Sequence, residues 1–400
     1  FLIKQMSLFK KIFLQSKIDF PMLFFGTSIL LFILFFLLIN YSLKHFLLLI
    51  IGGALGFVLF HSSFGFTGSW RSFINERKGN GIRSQLLAIG LSMLLIVPFI
   101  GNESFFGSII VGSFGPVGVS VIIGSFLFGL GMQLGGGCGS GTLYNVGAGN
   151  TRMLITLIFF ILGSLLGTLH LPWWSSLPSF GVISLSSYIS TVPTLIIQGI
   201  LLIIIAMFTI FYEKRGKKNI STIYQKTDTS FFRVFVFGNW PLLWGAIAIA
   251  LLSIIMIFIA GHTWSVTFAL GLWGAKIASH IGIDVSQWEY WKGSYQAQAL
   301  QRSILTDSVS LTNIGLLLGA FIASNLSGKN NSKINISLLP FFAAILGGIL
   351  MGYGARLAFG CSIGALFSGI ASGSMHGWLW LLFAFAGSYY GIKLRPYFKL

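Results

Sequence analysis

Apolar residues run along this chain in long uncharged stretches, and polar residues gather between the stretches instead of alternating with them. Uncharged runs cover 234–275, 308–328, 334–355 and 357–392, each longer than the ~20 apolar residues that carry a helix across a bilayer. The pattern predicts spans at about 20–40, 45–62, 85–100, 117–134, 153–170, 191–212, 240–260, 309–325, 338–357 and 378–392. A further apolar stretch, 264–278, is interrupted by Gly271 and Gly274 and carries Lys276. It is short for a full span and reads as re-entrant. The stretch 64–71 and the glycine run 135–141 share that character. Non-helical backbone at membrane depth is tolerated only where protein or a water-lined cavity surrounds it, so these segments are candidate pore elements.

The chain repeats itself. Residues 124–148 laid over 347–371 without gaps pair Gly124 with Gly347, Gly131 with Gly354, Gly137 with Gly360, Cys138 with Cys361 and Gly141 with Gly364, among ten identities in twenty-five positions. The superposition brings together the only two cysteines of the sequence. The expected fold is an all-α polytopic membrane protein with a two-fold internal repeat and re-entrant half-helices. Its parts are a basic amphipathic segment at 1–19, a first transmembrane half at 20–212 with Cys138, a basic linker at 213–233 and a second half at 234–400 with Cys361. The opening segment has no small-residue cleavage site and reads as a surface helix, not a secretory signal.

Composition narrows the function. With 55% hydrophobic and 8% charged residues, soluble enzymes and nucleic-acid binders are excluded. The formal charge of +17 sits in short loops between spans, as membrane topology requires. Eight carboxylates in all leave a cation or proton relay poorly supplied, and the basic surplus favours an anionic partner. Two cysteines far apart give no disulfide framework and too few ligands for a thiolate zinc site. Six scattered histidines suggest no metal, and no nucleotide motif supplies an ATP drive. Counting 264–278 as re-entrant places Lys329, Lys333, Lys393, Arg395 and Lys399 inside and leaves Lys292 and Arg302 outside, which makes the halves an inverted repeat.

The candidate chemistry lies at the repeated breaks. A helix that restarts after Gly-Cys points its unpaired N–H groups and positive dipole end at whatever sits beside the cysteine, an anion site without a buried basic side chain. A thiol there gains thiolate character or donates a strong S–H bond to a soft sulfur ligand. The candidate residues are Cys138 and Cys361 with flanking Gly137, Gly139, Gly360 and Ser362. Gln133 and Arg356 stand at matched positions five residues earlier; Arg356 either attracts substrate or anchors the helix at the interface. Arg71, Arg77, Lys78 and Arg83 form either a vestibule that concentrates a dianion or a cytoplasmic retention cluster. Tyr144 and Asn145 follow Cys138 where Phe367 and Ser368 follow Cys361, an asymmetry between entrance and exit. A membrane thiol oxidoreductase is the competing class, but it normally calls for a Cys-x-x-Cys pair or a quinone or haem site, and none is visible in the sequence.

The stretches Gly354-Ala-Arg-Leu-Ala-Phe-Gly-Cys-Ser-Ile-Gly364, 129–141 and Leu305-Thr-Asp-Ser-Val309 resemble the signature of the YeeE/YedE family of bacterial inner-membrane sulfur transporters, over roughly 55–392. The resemblance implies uptake of thiosulfate through an hourglass-like centre, with cysteines at the constriction passing the ion along by S–H to sulfur hydrogen bonds. It also implies a cytosolic TusA-like sulfur carrier as partner; no cofactor is expected. Another sulfur or selenium compound is the alternative cargo. One position departs from the pattern: Gly65, in His61-Ser-Ser-Phe-Gly-Phe66, stands where the family has a further cysteine.

Overall fold

The computed structural model describes residues 18–216, 220–224, 231–329 and 336–400; the surface helix expected at 1–19 and Lys333 fall almost wholly outside the described residues. The principal helices are α1 (Phe20–Asn40), α2 (Leu43–Ser62), α3 (Phe66–Glu76), α4 (Asn80–Ile96), α5 (Val119–Gly135), α6 (Gly139–Gly147), α7 (Thr151–Ser175), α8 (Thr191–Arg215), α9 (Leu242–Ala260), α10 (Thr267–His280), α11 (Ser308–Leu326), α12 (Leu338–Leu357) and α13 (Met375–Leu394). Among the described residues nine helical segments are long and apolar enough to cross a membrane. The protein is an all-α, multi-pass membrane protein. The span expected at 378–392 falls within α13, which is not one of the nine. Among the described residues strands are confined to a small antiparallel pair, Pro116–Gly118 with Ser179–Val182.

The breaks fall where the glycines and short apolar runs place them. Helix α5 stops at Gly136, whose left-handed φ of 93° returns its N–H to Met132 O, a termination that favours glycine because a Cβ there is strained. Gly360 holds φ 154° at the matching break. Helices α3 and α10 have 11 and 14 residues, so at 1.5 Å per residue they extend only ~16 and ~21 Å, short of a ~30 Å hydrocarbon core.

Small residues decide how the long helices pack. Helices α5 and α12 run antiparallel in contact: a methyl group added at Gly131 would lie 2.8 Å from Gly347 O, and one added at Gly124 would lie 2.7 Å from Gly354 O. Gly131 is the sequence equivalent of Gly354 and Gly124 of Gly347, so the two contacts are each other's exchange. Each of these helices also lies parallel to a helix from the other half of the chain. Phe126 and Leu130 of α5 abut Gly387 and Gly391 of α13, while Thr156 and Phe160 of α7 abut Gly348 and Gly352 of α12. Helices far apart in the sequence are thus interleaved. Helices α1 and α8 stay at the periphery, with Phe24, Phe32, Val192 and Phe208 exposed on them, as lipid-facing helices require.

Candidate functional site

The two cysteines occupy equivalent places. Cys138 is the N-cap of α6, with φ −81° and ψ −169°. Cys361 is the N-cap of a π-turn, Ser362–Phe367, with φ −93° and ψ −167°, and the turn continues into the single helical turn Ser368–Ala371. Both side chains are buried, 1% and 0% exposed. The sulfur of Cys361 accepts from Ile363 N–H at 3.4 Å, and the sulfur of Cys138 lies 3.7 Å from Ser140 Oγ. A sulfur that accepts from the backbone keeps its own S–H free to donate elsewhere. The breaks meet: a methyl group added at Gly139 would lie 2.9 Å from Cys361 Sγ and 3.7 Å from Val266 at the start of α10. Gly139 and Ser362, each following its cysteine, are therefore at the junction, and Gly137 and Gly360 supply the backbone just ahead of it. Ser362 is fully buried and its hydroxyl has no partner.

Below Cys138 a cavity of about 330 Å³ opens, lined by Thr67, Arg71, Lys78, Tyr144 and Asn145, with Gly65 and Gly68 among its walls. Of the four basic residues read as a vestibule, Arg71 and Lys78 line it. Arg83 is instead paired with buried Glu213 at 2.9 Å, and Arg77 lies over the Tyr212 ring at 5.0 Å. Gly65 has extended backbone, and a side chain there would approach Tyr144 Oη at 3.5 Å, an ordinary contact. On the Cys361 side the segment after α4 lies against the second break. Ser113, on the segment after α4, donates its hydroxyl to Gly364 O at 2.6 Å and its N–H to Ser372 Oγ at 2.9 Å. Trp264 packs edge-on against Phe367. Tyr144 and Asn145 thus line the cavity on one side, while at the matching places Phe367 packs against Trp264 and Ser368 donates its hydroxyl to Trp264 O at 2.7 Å.

Gln133 and Arg356 both have protein partners. The Gln133 amide donates to Thr67 O at 3.1 Å and to Ser388 Oγ at 2.7 Å. The Arg356 guanidinium donates to Ser164 Oγ at 2.9 Å, Tyr290 Oη at 2.9 Å, Phe268 O at 3.3 Å and Thr267 O. Each thus ties its long helix to the first turn of a short helix, α3 or α10, and to a serine of the helix packed alongside. Sequence reasoning missed Thr67, Arg152 and Arg395. Both arginines cap the last turn of α5, Arg152 through Leu134 O and Arg395 through Gln133 O at 2.6 Å. Basic residues at span ends are common enough in membrane proteins to pass as topology signals, which hid this use. Among the described residues no cluster of three potential metal ligands occurs.

Comparison with known proteins supplies an identity for the architecture. Residues 61–390 match the family model described as Sulphur transport. A "Probable transporter YedE" of Escherichia coli K12 is 31% identical over 163 residues, 40% of this chain and 40% of that protein, so the match spans less than half of that relative's length. "Thiosulfate transporter TsuA" of Spirochaeta thermophila is 27% identical over 284 residues, 68% of this chain and 76% of the relative. The protein of the same name from Escherichia coli K12 is 25% identical over 353 residues, 85% and 91% of the two chains. With the matched region running from the end of α2 to the last turns of α13 and enclosing both cysteine breaks, the chain belongs to the sulphur transport family, a family of membrane transporters.

Proposed function

We propose that this protein takes up thiosulfate across a bacterial inner membrane, through a neck where Cys138 and Cys361 hand the ion on by S–H to sulfur hydrogen bonds. The observation that carries the reading is the meeting of the two breaks, with Cys361 sulfur against Gly139, in a chain whose relatives include two proteins named thiosulfate transporters. Both cysteines cap the starts of short helical segments, where unpaired N–H groups favour an anion. The halves form an inverted repeat about the α5–α12 contact, with α3, α6, α10 and the turn after Cys361 as half-helices around an hourglass-like centre. The exchanged contacts Gly131–Gly347 and Gly124–Gly354 support that arrangement. A TusA-like carrier is the expected recipient on the cytosolic side.

The test is thiosulfate-dependent growth and labelled thiosulfate uptake by a host lacking its own uptake system. Cys138→Ala and Cys361→Ala are each expected to abolish uptake while the protein remains inserted. Serine at either position keeps a donor of nearly the same size and should be less damaging than leucine. Uptake at the parental rate in either alanine variant would overturn the relay.

A further inference from the structure

The cavity below Cys138 has chemistry that a thiol relay does not use. Arg71 lines it, and Arg71, Arg152 and Arg395 lie close enough for their charges to act on one another. Glu76, a carboxylate whose charge reaches Arg71, is itself paired with Lys78 at 2.7 Å. The Nε of Arg152 is buried without a partner, and so is the hydroxyl of Thr67, 3% exposed, on the cavity wall. Arg152 reaches to within 3.3 Å of where a Cβ on Gly136, another wall residue, would stand. Like charges gathered beside unfilled donors are costly unless something negative joins them. Gly68 leaves the space open, since a methyl group there would meet nothing within 4 Å.

We infer that this cavity is an anion-binding station adjoining the thiol neck at Cys138, in which Arg71 and Thr67, backed by Arg152, hold a divalent sulfur oxoanion on the inner side of Cys138 without needing the thiols. That the cavity borders Cys138 is structural; that this side is the inner one rests on the distribution of basic residues, and that the anion has come through the neck rests on the transport reading. Because the station offers charge and hydroxyl donors and no thiol beyond Cys138, it reads the oxygens of its ligand and not a terminal sulfur. Sulfate and thiosulfate therefore occupy it about equally.

Calorimetric titration of the purified full-length protein with thiosulfate and with sulfate tests this, in the parental chain and in a Cys138→Ala/Cys361→Ala background that removes both thiols. Both anions are expected to bind in both backgrounds, within about threefold of one another and more weakly as salt is raised. Arg71→Gln should weaken both at least tenfold, and so should Gly68→Leu, which fills the space without changing a charge. Parental affinity in both variants, or loss of all binding with the two thiols, would overturn the station. The two readings fail separately. Normal uptake in Cys138→Ala with tenfold weaker binding in Arg71→Gln would remove the relay and keep the station; abolished uptake with unchanged binding would do the reverse.

Discussion

Gln133 and Arg356 stand five residues ahead of Cys138 and Cys361, and each joins a long helix to a first-turn carbonyl of a short one. The contacts make them positioning residues. Arg356→Leu strands the acceptors on Thr267, Phe268, Ser164 and Tyr290, at ~1–3 kcal/mol for a buried acceptor left without a donor, and should unseat α10. Arg356→Gln copies the first-half solution and should restore most of the uptake. Uptake kinetics separate this from attraction of the substrate: loss of seating lowers the maximal rate with KM near the parental value, whereas loss of an attracting charge raises KM in the Gln and Leu variants alike. Gly65 makes a second residue-scale case. Its extended backbone and 3.5 Å clearance to Tyr144 accept a cysteine, so Gly65→Cys should leave stability unchanged and raise the preference for thiosulfate over sulfate, read as weaker inhibition of uptake by sulfate. The cysteines and their flanking glycines were legible in the sequence because the repeat marks them. The roles of Gln133 and Arg356 were not, since their partners lie up to 255 residues away in the chain.

At the scale of elements, the α5–α12 contact rests on glycines whose backbones touch. A Cβ on Gly347 would run into the backbone N of Gly135, and backbone cannot rotate aside as a side chain can, so overpacking of ~1–3 kcal/mol is expected. Gly347→Ala should lower the thermal melting temperature of the purified protein and reduce uptake, with Gly68→Ala as the control that melts like the parent. Equal melting of the two would mean that the helices are not held at this distance. The spans and breaks could be read from the chain because an uncharged run ended by glycine has few other meanings in a membrane protein. Which helix lies against which could not be read. In a membrane there is no solvent-facing polar stripe to mark the buried face, and a glycine permits close approach without naming its partner.

The whole molecule has two chemically distinct ends. Helix α11 starts at Ser308, hydrogen-bonded to His262 at 2.6 Å, and its far end leads to Lys329, whose Nζ donates to Asn239 at 2.7 Å. Asn239 borders a second cavity, of about 470 Å³, that shares Ser63, Asn80 and Leu242 with the cavity of Arg71 and Cys138. Lys329 and Arg71 therefore belong to one end. Arg395 and Arg152 join them through the last turn of α5, and Arg83 through the Glu213 network around Ser221, which also receives Asn80 N–H. At the opposite end Lys276 is held by the carbonyls of Leu300 and Arg302, near the exposed segment that carries Asp284 and Glu289. Such a concentration of Lys and Arg is expected on the cytoplasmic side, which would have the cavity below Cys138 open inward and the Ser113 segment face outward. Because both native thiols are buried, a cysteine introduced on the surface reports alone. In intact cells, a membrane-impermeant maleimide should label Ser286→Cys at once and Lys329→Cys only after the membrane is opened. Labelling of Lys329→Cys in intact cells, with Ser286→Cys protected, would invert the protein and turn the open cavity into its entrance.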